Sequence, residues 1–512
     1  MRPLRLAFLF LSCAALAGAH EAKTVDVEGW HLVDMHEMRV ISHMRDVDTS
    51  EWAGRLNQFA YALKGRLKVD PRMLGPFTLI LFKDTSDFWS SVPVLKSGDP
   101  MANVAGFSRA GGWGAIAATC ERGSSEDTQR MIYESCVNWV MSADHRYRPR
   151  ALSTGIDEVY GAYVVENGQE IFGQPVRNWT TRLQRAEANS LNNADTFLNI
   201  EDLLSVKDMD DRAVAHGTHM FSVESWGFAH FLMFSKEMSK AHGMDRLLDA
   251  FSRTRNPHDA LTLAFGKDAS SINTLFRNYI RGGDFFEYAL PVEKAPDPGP
   301  LVAADPAEVA ASLSHLESTA DQLDVARSYA TQAIQLDPNS PAPRDALALV
   351  DFKAGRGRET EDESKEAIRR GTTDAWTWLE ASVALVQGTP GAEDPLDLAL
   401  LSPDQARVAV NVAEKAILMR RSLEAAYIRA ARLMPKAVRV TEDDGKFLML
   451  GRTLFPDDGW IEIGHAQWAR RMNDEALALK ILDDAIAHQD AFSPRQAAEA
   501  RQLRDEWASQ KS

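Results

Sequence analysis

The spacing of apolar residues changes character along this chain. Up to about residue 290 it is mixed. Trp52–Leu67 repeats apolar residues at helical spacing, whereas Phe77-Thr78-Leu79-Ile80-Leu81-Phe82 is an uninterrupted run of strand formers closed by Lys83-Asp84, the pattern of a buried strand. Ala105–Thr119 sets Gly106, Gly111, Gly112 and Gly114 between apolar residues, which predicts a hairpin or a short strand pair. Thr128–Met141 then reads as helix, and Ser222–Ser235 as another.

A stretch holding Pro291, Pro296, Pro298, Pro300 and Pro306 follows, poor in large apolar residues, and reads as a semi-extended linker over 291–304. Beyond it strand signals fade and Ala-rich helical patterns take over. Ala333-Ile334 returns as Ala367-Ile368, about 34 residues on, the period of a tetratricopeptide repeat. Leu336-Asp337-Pro338-Asn339-Ser340-Pro341 resembles the inter-repeat turn of that family, and Ala466–Ala487 has a similar helix pair. Residues 305–512 are therefore expected to stack three to five degenerate pairs as a solenoid.

The start of the chain stands apart. A short basic segment with Arg2 and Arg5 precedes the apolar run Leu6–Leu16, and Ala17-Gly18-Ala19 offers a small-residue cleavage site, together the signature of a secretory signal peptide over 1–19. That makes the expected location the periplasm or exterior of a bacterial cell envelope, with no integral membrane segment after cleavage. The 512 residues carry 57 basic and 73 acidic side chains, a formal charge of −16. Such a balance repels nucleic acid and anionic lipid, so neither is expected as a partner. Cys120 and Cys136 remain past the signal, and an oxidising compartment allows them to pair.

The candidate chemistry lies in Met131–Tyr163. A gluzincin-type zinc peptidase carries H-E-x-x-H on one helix, with imidazoles at i and i+4 on one face and a general-base Glu between them. Here the segment reads Tyr133-Glu134-Ser135-Cys136-Val137. Further on, Pro149-Arg150-Ala151-Leu152-Ser153-Thr154-Gly155-Ile156-Asp157-Glu158 resembles the second motif of such enzymes, with Thr154 at the place of the third ligand Glu. With Val104–Phe107, Ser225–Leu232 and Ala264–Asp268, these segments follow the order seen in bacterial exported proteins with a peptidase-MA-like domain, many of which carry tetratricopeptide repeats after it.

That resemblance implies an α+β fold of thermolysin-like (gluzincin-like) architecture over residues 20–290, followed by the all-α repeats. It makes Glu134 the counterpart of the general base, Gly155 that of the helix-start glycine and Glu158 that of the second acid. Ser225, Trp226 and His230 fall on a helix beside or behind the cleft. Tyr133, Val137 and Thr154 depart from the pattern at all three ligand positions, and an open zinc site needs three protein ligands. No cofactor is expected, and zinc only if other ligands have been recruited. Glu134, if buried without a metal, must be neutral or find a donor, with Tyr133, Thr154 or a backbone N–H as candidates.

Alternative donors weigh less. His216 and His219 can share a helix face, with His230 hydrogen-bonded in the core. Asp144-His145 reads as a surface loop, Cys136 as a small buried residue, and Trp113, Trp139 and Trp179 as core or boundary residues. The function this suggests is an exported, non-catalytic pseudopeptidase that binds a peptide or protein through its cleft or repeats. The alternatives are an active metallopeptidase with rearranged ligands and a scaffold that uses the repeats alone.

Overall fold

The computed structural model describes residues 26–92, 106–111, 113–120, 126–176, 178–190, 197–206, 218–387, 401–487 and 492–509. It is mostly helical, with two small sheets. The first half holds β1 (His31–Asp34), β2 (Met38–Ser42), α1 (Asp46–Leu67), β3 (Phe77–Leu81), α2 (Thr85–Ser90), β4 (Gly106–Gly111), β5 (Gly114–Thr119), α3 (Glu126–Met141) and α4 (Arg150–Gly161). Strands β6 (Val164–Glu166) and β7 (Gln169–Phe172) follow, then helices α5 (Trp179–Asn189), α6 (Ile200–Ser205), α7 (Thr218–Phe234), α8 (Lys236–Lys240), α9 (Gly243–Thr254), α10 (Pro257–Phe265) and α11 (Ala269–Gly282). Two short strands, β8 (Tyr288–Pro291) and β9 (Val302–Ala303), flank the proline-rich stretch.

The larger sheet has the order β4-β5-β3-β2-β1-β9. Strands β2, β3 and β5 run parallel at its centre, and β4, β1 and β9 are antiparallel to their neighbours. Successive side chains of a strand point to opposite faces, and here both faces are covered. Val40, Leu79 and Ala117 enter a core with Leu56, Phe59 and Leu63 of α1 and with Ile132 and Val137 of α3. Their neighbours Ile41, Ile80 and Ile116 enter a second core with Val309, Leu313, Tyr329 and Leu347. Two apolar environments explain why β3 lacks apolar–polar alternation. A third core gathers α4 to α11 around α7, with Trp226, Phe228, Leu232, Phe251 and Phe276 inside.

Paired helices build the second half. Pro306–Thr319 with Leu323–Leu336, Ala342–Lys353 with Gly357–Arg369, Ala375–Gln387 with Pro403–Met419, Glu424–Leu433 with Glu442–Leu454, and Gly459–Arg471 with Glu475–Ala487 make five pairs among the described residues, and Pro494–Ser509 follows. The first helix of each pair packs on the first helix of the next, as in a solenoid of stacked repeats. Caps punctuate the array: Ser402 and Thr441 each accept from the backbone three residues on in a capping box, which satisfies otherwise orphaned N–H groups.

The stretch expected as a linker is extended but held at both ends and along its length. β8 pairs with β7 and β9 with β1. Between them Gln58 Nε2 donates to the Glu293 carbonyl at 2.8 Å, its Oε1 accepts from Ala295 N at 3.0 Å, and Asn57 Nδ2 donates to the Pro296 carbonyl at 2.6 Å. The first helix of the array lies directly on the sheet, so the two halves share a core. No helix of the described residues is long and apolar enough to cross a membrane.

Candidate functional site

Helices α3 and α4 pack against each other and carry the two motifs. Tyr133 and Val137, one turn apart, point into the core beneath the sheet and are 2% and 0% exposed. The Tyr133 ring stacks on Phe59 at 4.2 Å and meets Tyr163 edge-on at 5.9 Å. Burial raises the pKa of its phenol, so it stays protonated. Thr154 lies in the first half of α4 and is partly exposed.

Glu134 sits on the flank of α3 between the two helices. Its Oε1 lies 3.2 Å from Arg130 Nε, which is 3.9 Å from Glu158 Oε2 on α4. The Arg130 guanidinium also covers the Trp179 ring at 5.4 Å. Burial, and then the neighbouring Glu158, hold the Glu134 carboxyl well above the usual range, and burial raises Glu158 as well. One guanidinium shared by two crowded carboxyls favours a proton retained by the pair. Beside them Asp157, raised chiefly by burial, accepts from Asn138 Nδ2 at 3.0 Å. Gly161 makes room for this packing, because a Cβ there would stand 2.6 Å from Glu134 Cγ. The partners of Glu134 are thus Arg130 and Glu158, not the Tyr133, Thr154 or backbone donors expected from sequence.

These residues do not fit the zinc ion that the motif resemblance implies. Val137 has no donor atom, Tyr133 is locked into an aromatic stack with its proton held, and Thr154 offers only a neutral hydroxyl. Zinc sites take thiolate, imidazole or carboxylate ligands. Among the described residues no group of three His, Cys, Asp or Glu converges to hold a metal.

The other sequence candidates are packing residues. A Cβ on Gly155 would stand 2.3 Å from the Ser225 carbonyl oxygen, so α4 and α7 cross nearly backbone to backbone. Ser225, Trp226 and His230 are 1%, 0% and 0% exposed. His230 Nε2 donates to the Gly173 carbonyl at 2.9 Å, which leaves Nδ1 to accept from Tyr279 Oη at 2.7 Å. With burial pushing its pKa down to about 4, it is a neutral imidazole, hydrogen-bonded in the core as expected from sequence. His216 and the side chain of His219 lie outside the described residues. Trp139 donates to the Gly75 carbonyl at 2.7 Å, and Trp113 meets His315 edge-on at 4.6 Å. No disulfide joins Cys120 to Cys136: Cys136 is buried in the core under one face of the sheet and Cys120 packs against the core on the other.

Asp144-His145 differs from its expected surface role. Arg146 clasps Asp144 at 2.8 Å, while His145 packs on Phe455 of the array at 4.3 Å, its pKa lowered to about 4 by burial. Both residues line a cleft of about 950 Å³ between the two halves. Arg146, Asp249 and Arg253 extend one wall, and Arg452, Asp457 and Phe492 the other. Arg255 of the first half pairs with Asp457 at 3.5 Å across the same junction. The local sequence carried no signal for this cleft, because its walls lie about 200 to 350 residues apart in the chain.

No family model matches this chain, and no curated protein does. Among solved structures it is similar to YrrB, described as a TPR protein with an unusual peptide-binding site, at 15% identity over 38% of this chain and 91% of that one, with a TM-score of 0.31. It is also similar to TTC0263, a thermophilic TPR protein of Thermus thermophilus, at 17% identity over 40% of this chain and 97% of that one, with a TM-score of 0.24. Yeast Tom70 is similar at 12% identity over 65% of this chain and 82% of that one, with a TM-score of 0.19.

Proposed function

We propose that this chain is an exported, non-catalytic binding protein that holds a peptide or protein segment in the cleft between its α/β half and its helical array. The observation that carries this reading is the cleft itself: about 950 Å³, with walls from both halves and charged groups of both signs beside apolar Leu454 and Phe492. Ligand sites favour such concave junctions. The motif region supports the same reading, since a peptidase-MA-like frame whose ligand positions hold stacked, aliphatic and hydroxyl side chains has lost its means of activating water. Repeat arrays built from paired helices are suited to peptide and protein ligands.

A photo-reactive residue placed at Thr453, in the cleft, is expected to form a discrete adduct in envelope extract, while the same group at exposed Met449 does not. Equal labelling from both positions would remove the cleft from the reading. Metal analysis of chelator-free protein separates the enzymatic alternative: near one equivalent of zinc with chelator-sensitive peptide hydrolysis would replace binding with catalysis. N-terminal sequencing of the exported protein is expected to begin at His20.

A further inference from the structure

On the other side of Arg146 the α/β half has a second concavity. The three-stranded sheet runs β6-β7-β8, and among the described residues no strand lies beyond β8. Val292 N donates to the Gly168 carbonyl at 3.1 Å, one register step past the Pro291–Gln169 pair. In an antiparallel ladder such bonds alternate along the strand, so Tyr288 and Leu290 face β7 with their backbone groups and Ala289 turns its N–H and C=O outward. Pro291, which has no N–H to lose, takes the next outward position. Along this open edge Phe286 and Tyr288 are 55% and 41% exposed, two large aromatic side chains at a strand edge that ordinarily needs cover.

Both aromatics line a groove of about 720 Å³ that runs into the seam between two cores. Its floor includes Met141, Ile156, Leu232, Met233, Met244 and Leu248, and flexible methionines suit a pocket that adapts to different apolar side chains. The mouth is charged. Arg66 stands over the Tyr288 ring at 4.0 Å, and Lys68 also lines the groove. The acids Asp144 and Asp245 are bound by Arg146 at 2.8 and 3.3 Å, leaving Glu287 as one further acid on the rim against two bases.

We propose that this groove and the β8 edge bind the C-terminus of an extended peptide. The peptide backbone pairs with Ala289, an apolar last side chain enters the methionine-lined groove, and the terminal carboxylate meets Arg66 and Lys68. An open strand edge recognises extended backbone, a flanking pocket selects the side chain, and a guanidinium matches a carboxylate. An apolar groove alone would suit many ligands. The open edge, with Arg66 over Tyr288 and Lys68 lining the same groove, favours a free peptide C-terminus.

The test uses the full mature chain and a fluorescein-labelled octapeptide pool, randomised except for a C-terminal leucine, prepared as free acids and as amides. Anisotropy titration is expected to show saturable binding of the acid pool and at least tenfold weaker binding of the amide pool. Arg66→Ala is expected to weaken acid binding about tenfold while leaving amide binding unchanged. Ala289→Pro deletes the outward N–H without touching the β7 ladder and is expected to abolish binding at an unchanged melting temperature. Should that variant melt early, Met244→Trp, which fills the groove, provides the same reading. Equal binding of acid and amide pools, no binding of either, or full binding by the groove-filled variant overturns the proposal. Saturable binding of decanoate in place of peptide likewise overturns it, by making the groove an acyl-chain site.

Discussion

The two faces of the six-stranded sheet make an instructive contrast. One lies under α1 and α3, elements close in sequence to the strands, and carries the motif helix. The other lies mainly under helices that begin only at Pro306, with Phe88 of α2 as a local contribution. Both layers bury their strand side chains, yet one is local and the other is largely brought back from beyond a proline-rich stretch. The array therefore supplies the sheet with its second layer and is not an appended module. A buried hydrogen bond reinforces the junction, where Ser91 Oγ donates to Glu317 Oε1 of the first array helix.

Removing one layer is the most severe way to break the comparison. A chain truncated after Ala304 would expose Ile41, Ile80, Phe82 and Ile116, and is expected to lose cooperative unfolding and aggregate, as followed by circular dichroism and light scattering. A soluble fragment with a sharp transition would show that the sheet needs only its local layer. A finer comparison pairs Leu79→Ala with Ile80→Ala. The two residues are adjacent, both 0% exposed, and enter opposite cores. Each is expected to cost about 2–5 kcal/mol in urea unfolding, and a much smaller cost for Ile80 would mark the array face as loosely packed.

Buried acids at the junction and in the helical core respond to pH. Glu317 at the junction and Glu224 in the helical core are pushed up to about 8, in each case mainly by burial. A raised carboxyl pKa means that the folded state keeps a proton the unfolded state releases, so stability falls as pH rises from the ordinary carboxylate range toward 8. Unfolding free energy is expected to drop by on the order of a few kcal/mol between about pH 5 and pH 8, and Glu317→Gln should flatten part of that slope. A profile rising over this range would contradict the buried, protonated state of these acids.

The smallest expected effect belongs to the motif. Glu134→Gln keeps the shape and a hydrogen-bonding group while removing a carboxyl already disfavoured as an anion, and should change the melting temperature little. Glu134→Ala should cost about 1–3 kcal/mol by leaving Arg130 and Glu158 with an unfilled gap. Equal and negligible effects would show that the Arg130–Glu134–Glu158 contacts carry no structural weight.

Much of the scaffold was legible locally. The apolar run at Phe77–Leu81, the glycine-rich hairpin around Trp113 and the helix containing Glu134 all form near where their patterns place them, because each is fixed by backbone conformation and the period of its apolar residues. The hairpin β6–β7 was missed although its turn, Asn167-Gly168, has the positive φ angles of 51° and 75° that this dipeptide favours. Its strands are too short for periodicity to reveal them. A hydrogen-bonded core place for His230 was readable from its position in the Ser222–Ser235 helix, whereas the partners of Glu134 were not. Arg130 is one turn away on the same helix, but sequence cannot say which neighbours a side chain will choose.

By itself the sequence determined the longer helices and the central strand, the repeat-like second half, the absence of imidazole or carboxylate at Tyr133, Val137 and Thr154, and an acidic net charge. These are properties of residue identity and local spacing, and no fold can change them. Only the tertiary structure decided that the proline-rich stretch is strapped down, that Asp144 and His145 face a cleft, that Cys120 and Cys136 lie on opposite sides of a sheet, and that the first array helix completes that sheet's core. Each of these depends on which distant apolar surfaces exclude water together, and burial is a property of the assembled chain that no short window of residues contains.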